Sequence, residues 1–243
     1  MSFFASRNLK ELMRDRLNLV FGIGFPLIIL LLLSLIQSNI PVELFEIGHL
    51  TPGITIFGLS FISLFSGMLI ARDRCESFLM RLLSSPLGAA DYILGYTLPL
   101  FPVGVAQMVC CFLTAFALGL RASANVLLCI AVSLPAVVLF IGIGLLCGSL
   151  LTDKQVGGVC GALLTNLSAW LSGTWFSLDL LGRGFRSFAM ALPFANAVEA
   201  GRAALSGSYG GILRPLVVVC VYAAAVMALA VFAFSRKMRT GID

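Results

Sequence analysis

Apolar residues in this chain come in runs too long for a soluble core. Between short charged clusters lie stretches of about twenty residues or more, the length that carries a helix across a bilayer core. None has Asp, Glu, Lys, Arg or His in its interior. The pattern predicts six spans: Leu17–Gln37, Thr51–Ala71, Tyr92–Leu120, Ala124–Leu151, Val156–Leu178 and Pro215–Ser235. The third and fourth exceed the thickness of the core, which predicts tilt or bending, and Pro99, Pro102 and Pro135 are the natural kink sites.

Two further elements come from amphipathic patterns. Ala5, Leu9, Leu12, Met13 and Leu17 recur at three- and four-residue steps, while Arg7, Lys10, Glu11, Arg14 and Asp15 fill the other face. Residues 1–16 are therefore expected to form a helix lying in the membrane interface. A cleaved signal peptide fits less well, because no small-x-small site follows the apolar run. Residues 179–214, before the last span, are half apolar (Leu180, Leu181, Phe185, Phe188) yet carry Arg183, Arg186, Arg202 and Arg214. That mixture predicts a hairpin of two short re-entrant helices dipping into the outer leaflet. The expected fold is an all-α membrane protein: an interfacial helix (1–16), then one six-span transmembrane domain (17–243) with the outer hairpin before its last helix.

Composition narrows the class. Of 243 residues, 60% are hydrophobic and 11% charged, against roughly 25% charged in ordinary soluble domains. Counted by side, 11 of the 16 basic residues fall on the face that holds the N-terminus, which predicts a multi-pass protein of the inner (plasma) membrane with both termini cytoplasmic. The net charge of +5 is explained by these flanking residues and by anionic membrane lipids, not by nucleic acid.

The chemistry that is missing excludes several classes. Ion-coupled carriers need ionisable groups within their spans, and no such group lies in these. No catalytic residues and no metal site are read from the chain: it has one histidine, His49, and its seven cysteines (Cys75, Cys110, Cys111, Cys129, Cys147, Cys160, Cys220) lie mostly in apolar runs, where they act as small hydrophobes. A phosphate-binding loop needs Lys after Gly, but Lys10, Lys154 and Lys237 follow Leu9, Asp153 and Arg236. Work must therefore enter from outside the chain.

The richest cytoplasmic feature is ARDRCESFLMRLLSSPLG, Ala71 to Gly88. Arg72, Asp73, Arg74 and Glu76 open it. Phe78, Leu79, Leu82 and Leu83 form an apolar stripe around Arg81, and Pro86 ends it, a pattern suited to docking in a groove on a soluble partner or to a solvated turn. Within the spans, Phe57, Ser60, Phe61, Ser63 and Ser66 recur in span two, and Thr165, Asn166, Ser168 and Ser172 in span five. These either line a route or bond their own helix backbone and pack helices together. Gly144/Gly148 and Gly157/Gly161 are pairs that let helices approach closely. Glu199 and Arg202, three apart, make either a local ion pair closing the outer side or an exposed pair of little consequence. Trp170 and Trp175 read as interface anchors.

At these residues the chain resembles the permeases of the ABC type-2 exporter family. The loop is similar to the family's A-R-E-R-E-x-G-T-L-E-R-L-L-x-T-P: Ala71, Arg72, Arg74, Leu79, Arg81, Leu82, Leu83 and Pro86 match, and Asp73 replaces a Glu. Cys75, Ser77, Phe78 and Met80 depart from it. LSGTWFSL (Leu171 to Leu178) is similar to its motif at the outer end of span five, LPFANAVEAGRAAL (Leu192 to Leu205) to a second motif that Pro193, Glu199 and Arg202 match, and PGITIFGLSF at Pro52 to its opening of span two.

The resemblance implies a permease domain that pairs with a second copy or a related permease and is driven by a soluble ATP-binding cassette ATPase. The chain itself would bind no cofactor, with ATP and Mg on the partner. It further implies that the loop over 72–88 is the coupling loop, with Arg72, Asp73, Arg74, Glu76, Phe78, Leu79, Arg81 and Leu82 on the ATPase and Asp153 and Lys154 adding contacts. It implies that spans two and five face each other across the dimer. Export of an amphipathic or lipid-like compound, a drug or a peptide is the expected function. An ATP-independent channel or facilitator, or a membrane scaffold subunit, is the alternative.

Overall fold

A computed structural model describes residues 2–39, 46–75 and 88–240. Among them the chain is helical: α1 (Ser2–Arg14), α2 (Arg16–Gln37), α3 (Ile47–Cys75), α4 (Ala89–Ala117) and α5 (Ala124–Leu150). There follow α6 (Asp153–Val156), a π-helical stretch (Gly157–Leu164) and α7 (Thr165–Leu171). The chain ends with α8 (Arg183–Ala191), α9 (Pro193–Ser206) and α10 (Leu213–Thr240), with single 3-10 turns at Leu178–Leu181 and Tyr209–Gly211. Among the described residues, five helices are long and apolar enough to cross a membrane: Leu19–Gln37, Ile47–Arg74, Ala89–Ala117, Ala124–Leu150 and Tyr209–Lys237.

The sequence-predicted fifth span takes a different form. Helix is unbroken from Asp153 to Leu171 but passes through eight π-helical residues, and it stops well short of Leu178. Gly173 adopts φ +69°, a left-handed conformation in which a Cβ is disfavoured, and so turns the chain. The turn is held by a 2.6 Å bond between the Ser172 and Thr174 hydroxyls. α4 runs on through Pro99 and Pro102, and α5 through Pro135.

The second span is also longer than its apolar run. α3 continues through Ala71 to Cys75, so Arg72, Asp73 and Arg74 form its last turn and do not begin a separate helix. α3 is the axis of the bundle, 83% buried over its apolar window, whereas α2 and α10 are 17% buried over theirs. The main core joins Ile56, Leu59 and Ile62 of α3 to Leu100 of α4, Phe140 and Leu145 of α5, and Phe234 of α10.

α3 and α5 touch backbone to backbone. A Cβ at Gly144 would overlap the Ser63 carbonyl and Ser66 Oγ, and one at Gly148 would overlap the Gly67 carbonyl and Ile70. This pair works as its spacing predicts. The Gly157/Gly161 pair does not: Gly157 meets nothing within 4 Å, and a Cβ at Gly161 would reach only the Leu64 side chain, at 3.3 Å.

Candidate functional site

Successive helical residues point about 100° apart, so the last turn of α3 sends Arg72, Asp73 and Arg74 towards different neighbours. Asp73 is 1% exposed. Its carboxylate accepts two bonds of 2.7 Å from the Arg7 guanidinium on α1 and a third of 2.7 Å from the Tyr96 hydroxyl on α4. An ionised carboxylate is tolerated in such a place only when paired and hydrogen-bonded. The bond to Asp73 raises the Arg7 pKa, against burial, which lowers it. Arg7 also reaches Glu11 at 2.9 Å.

α1 is seated around this pair. Asn8 Nδ2 donates to the Gly95 carbonyl at 3.2 Å, and the Phe4 ring stands edge-on to Tyr92 and Tyr96, with centroids 5.8 and 5.0 Å away. A Cβ at Gly95 would overlap the Phe4 ring.

Arg74 serves α5. Its Nη1 donates to the Gly148 carbonyl at 2.7 Å and to Leu151 at 3.2 Å, among the terminal carbonyls that a helix leaves without partners and that favour a cation. Arg72 is 43% exposed and makes longer contacts, 3.5 Å to Asp15 between α1 and α2, and 3.7 Å to Asp153 at the start of α6. Lys154 lies exposed beside it.

Of the predicted coupling residues, Arg72, Asp73, Arg74 and Asp153 thus come together at the C-terminal end of α3. Glu76, Phe78, Leu79, Arg81 and Leu82 lie outside the described residues. Sequence reasoning missed Arg7, Asp15 and Tyr96. The only signal for Arg7 was its place on the polar face of α1, and nothing in the pattern linked it to a residue 66 positions away.

The predicted pathway residues divide into two groups. Phe57, Phe61, Thr165 and Asn166 line an open groove of about 760 Å³ between α2, α3 and the α6–α7 segment. Its walls are aromatic: Phe25 stands 5.5 Å from Phe61, and Phe57 stands 6.0 Å from Phe61 and 5.6 Å from Trp175. Ser60, Ser63, Ser168 and Ser172 are buried behind this surface. Their hydroxyls donate to carbonyls three residues back, at 2.7, 2.6, 2.9 and 3.2 Å. Ser66 also bonds across to the Ile141 carbonyl at 3.1 Å. Trp170 is 57% exposed on the rim, while Trp175 is folded back over Phe57.

At the opposite end of the bundle, Glu199 and Arg202 do not pair with each other. Glu199 lies 4.0 Å from Arg186, which also reaches Asp179 at 3.3 Å. Arg202 donates to the His49 carbonyl at 3.0 Å and to the Gly173 carbonyl at 2.9 Å, tying α9 to the start of α3 and to the turn after α7. Burial lowers its pKa to about 10, with Glu199 pulling the other way.

A bundle of long apolar helices, with its charges gathered at the ends, defines a multi-pass membrane protein. Residues 2–206 match the model of the ABC-2 type transporter, and the chain belongs to that family of membrane permeases. Membership implies work alongside an ATP-binding cassette ATPase subunit. Neither the curated proteins nor the solved structures gave a match.

Proposed function

We propose that this chain is the membrane-spanning subunit of an ATP-driven exporter and moves an amphipathic or lipid-like compound, a drug or a peptide. ATP and Mg are bound by a separate soluble subunit, and the chain supplies the route and the means of coupling. The match over residues 2–206 carries this reading. The convergence of four helices, α1, α4, α5 and α6, on the last turn of α3, beside the loop that carries the family motif, supports it.

In this reading there are six crossings. The helix over Asp153–Leu171 is the fifth in chain order, added to the five long apolar helices, and at 1.5 Å per residue it is about 28 Å long, close to the thickness of a bilayer core. Both termini are cytoplasmic, which leaves the acidic stretch with Glu43 and Glu46 outside. α1 lies in the inner interface, and α8 and α9 form the outer re-entrant pair, where Glu199 and Arg202 act in an outer gate through Arg186, His49 and Gly173. Two copies, or this chain and a related permease, face each other across the aromatic groove.

The contacts to the ATPase fall to Arg81, Leu82 and their neighbours in the loop, with Arg72, Asp153 and Lys154 at its edge. Asp73 and Arg74 shape the base on which the loop stands. Co-purification tests this. A soluble ATPase with a phosphate-binding loop should copurify with the wild-type chain, and Arg81→Glu or Leu82→Asp should abolish the association without preventing membrane insertion. Undiminished association in both variants would rule out coupling through this loop.

A further inference from the structure

Asp73 sits two residues before the end of α3, where the coupling loop begins, and all its strong bonds lead to other helices. The three residues of this turn make different kinds of contact. Arg72 is half exposed and makes long, solvent-screened pairs, which transmit little force. Arg74 donates to the Gly148 and Leu151 carbonyls at the C-terminal end of α5. Asp73, whose carboxylate is buried, joins two other elements, α1 and α4, through three 2.7 Å bonds.

Apolar packing of Phe4 and Leu12 already holds α1 against the bundle. Such packing is non-directional and lets a helix slide or roll. A two-pronged guanidinium–carboxylate pair is directional and fixes orientation as well as proximity. If the last turn of α3 rotates with that pair intact, α1 has to follow.

We propose that Arg7, Asp73 and Tyr96 are positioning residues: a buried latch that makes α1 and the last turn of α3 one lever, and passes movement from the coupling loop to α1 and the start of α4. The proposal rests on the ATPase-coupled reading for the source of the movement, but the latch itself can be examined without an ATPase.

The test is hydrogen–deuterium exchange on the full chain with its co-purified ATPase in nanodiscs, with and without ATP and vanadate. In the wild type, nucleotide should change exchange in residues 2–14 and 88–100 together with 68–75. In Asp73→Asn and in Arg7→Gln the response of 2–14 should vanish while that of 68–75 remains, and Arg7→Lys, which keeps the charge, should restore part of it. A wild-type response of 2–14 that survives in both charge-removing variants would overturn the latch, as would no response there in the wild type. Should those variants not assemble, Tyr96→Phe, which keeps the ring and the ion pair, must weaken the response of 88–100 and leave that of 2–14. Unchanged responses in both would again overturn it.

If no ATPase accompanies the wild-type chain, it is the transport reading that fails, and the latch is judged on the chain alone. There Asp73→Asn and Arg7→Gln should each speed exchange in α1 roughly tenfold or more, and the double variant no further than either. Additive effects would show two independent contacts and no latch.

Discussion

The space a side chain would need at Gly144 is occupied by Ser66, whose Oγ bonds both the Ser63 carbonyl of its own helix at 3.0 Å and the Ile141 carbonyl of α5 at 3.1 Å. The contact repeats one turn on, where Gly148 meets the Gly67 backbone, and it is reciprocal, because a Cβ at Gly67 would lie 2.9 Å from the Gly144 carbonyl. In a bilayer, helices gain little from hiding apolar surface from one another, so close backbone contact and interhelical bonds hold them together.

Gly144→Val or Gly148→Val should therefore prevent the close approach of α3 and α5. Overpacking of this kind costs about 1–3 kcal/mol, and more where the obstacle is backbone. A fall in thermal unfolding temperature of the detergent-solubilised protein is the measurement. Gly157→Val, at a position with open space around it, should change that temperature far less. Equal effects at 144 and 157 would contradict the packing described.

Arg72 and Arg74 are two residues apart and should behave differently. Removing the Arg74 side chain leaves the Gly148 and Leu151 carbonyls without their charged donor, and bonds to charged groups contribute about 1.5–3 kcal/mol. The Arg72 contacts are exposed and long, a type of pair that contributes about 0–1 kcal/mol. Arg74→Ala should lower stability clearly in denaturant titration, and Arg72→Ala by no more than that small amount.

Arg202 carries a pH prediction. Because burial lowers its pKa to about 10 from 12.5, the folded chain gives up this proton before the unfolded chain does. Between those values the unfolded state binds more protons, so this group makes stability rise with pH there and adds no slope below. The tie from Arg202 to His49 and Gly173 should accordingly persist from about pH 7.5, above the range in which the neighbouring His49 takes up a proton, to about pH 9. In Arg202→Met, melting curves should be lower than wild type by a near-constant amount across that range. A difference that disappears at the acidic end would show that another group controls this corner.

The aromatic groove predicts where two copies meet. Asn166 is exposed on its wall, and Cys220 is exposed on α10. With the other native cysteines replaced, Asn166→Cys should give cross-linked dimers in membranes treated with a short bis-maleimide, while Cys220 alone should not. The reverse result would place the partner on α10.

Much of the fold was legible because crossing a bilayer demands long apolar runs. The starts and ends of α2 and α4 fall within about four residues of the hydropathy boundaries, within the usual uncertainty of such boundaries. The Gly144/Gly148 contact was legible for a related reason, since only small residues at four-residue spacing permit it. The fifth span was misjudged at its end, because LSGTWFSL is as apolar as a helix while Gly173 turns the chain by its backbone conformation. The serines were ambiguous for a physical reason. A hydroxyl in an apolar helix can bond its own backbone or face a route, and hydropathy does not distinguish the two. The structure gives a backbone bond to Ser60, Ser63, Ser168 and Ser172, and also to Thr165 and Asn166, which bond the Cys160 and Ala162 carbonyls while lining the groove.

The sequence by itself determined what is local and additive: an all-helical membrane protein, the polar faces of its first helix, the absence of a phosphate-binding loop in these residues, and a family motif at the C-terminal end of its second long helix. Only the tertiary structure decided which charges are buried and with what partner. Arg7 and Asp73 look like surface residues when read along the chain, and become an ion pair because α1 folds back against α3 and α4. Burial and pairing depend on three-dimensional proximity, and no periodicity within one helix encodes it.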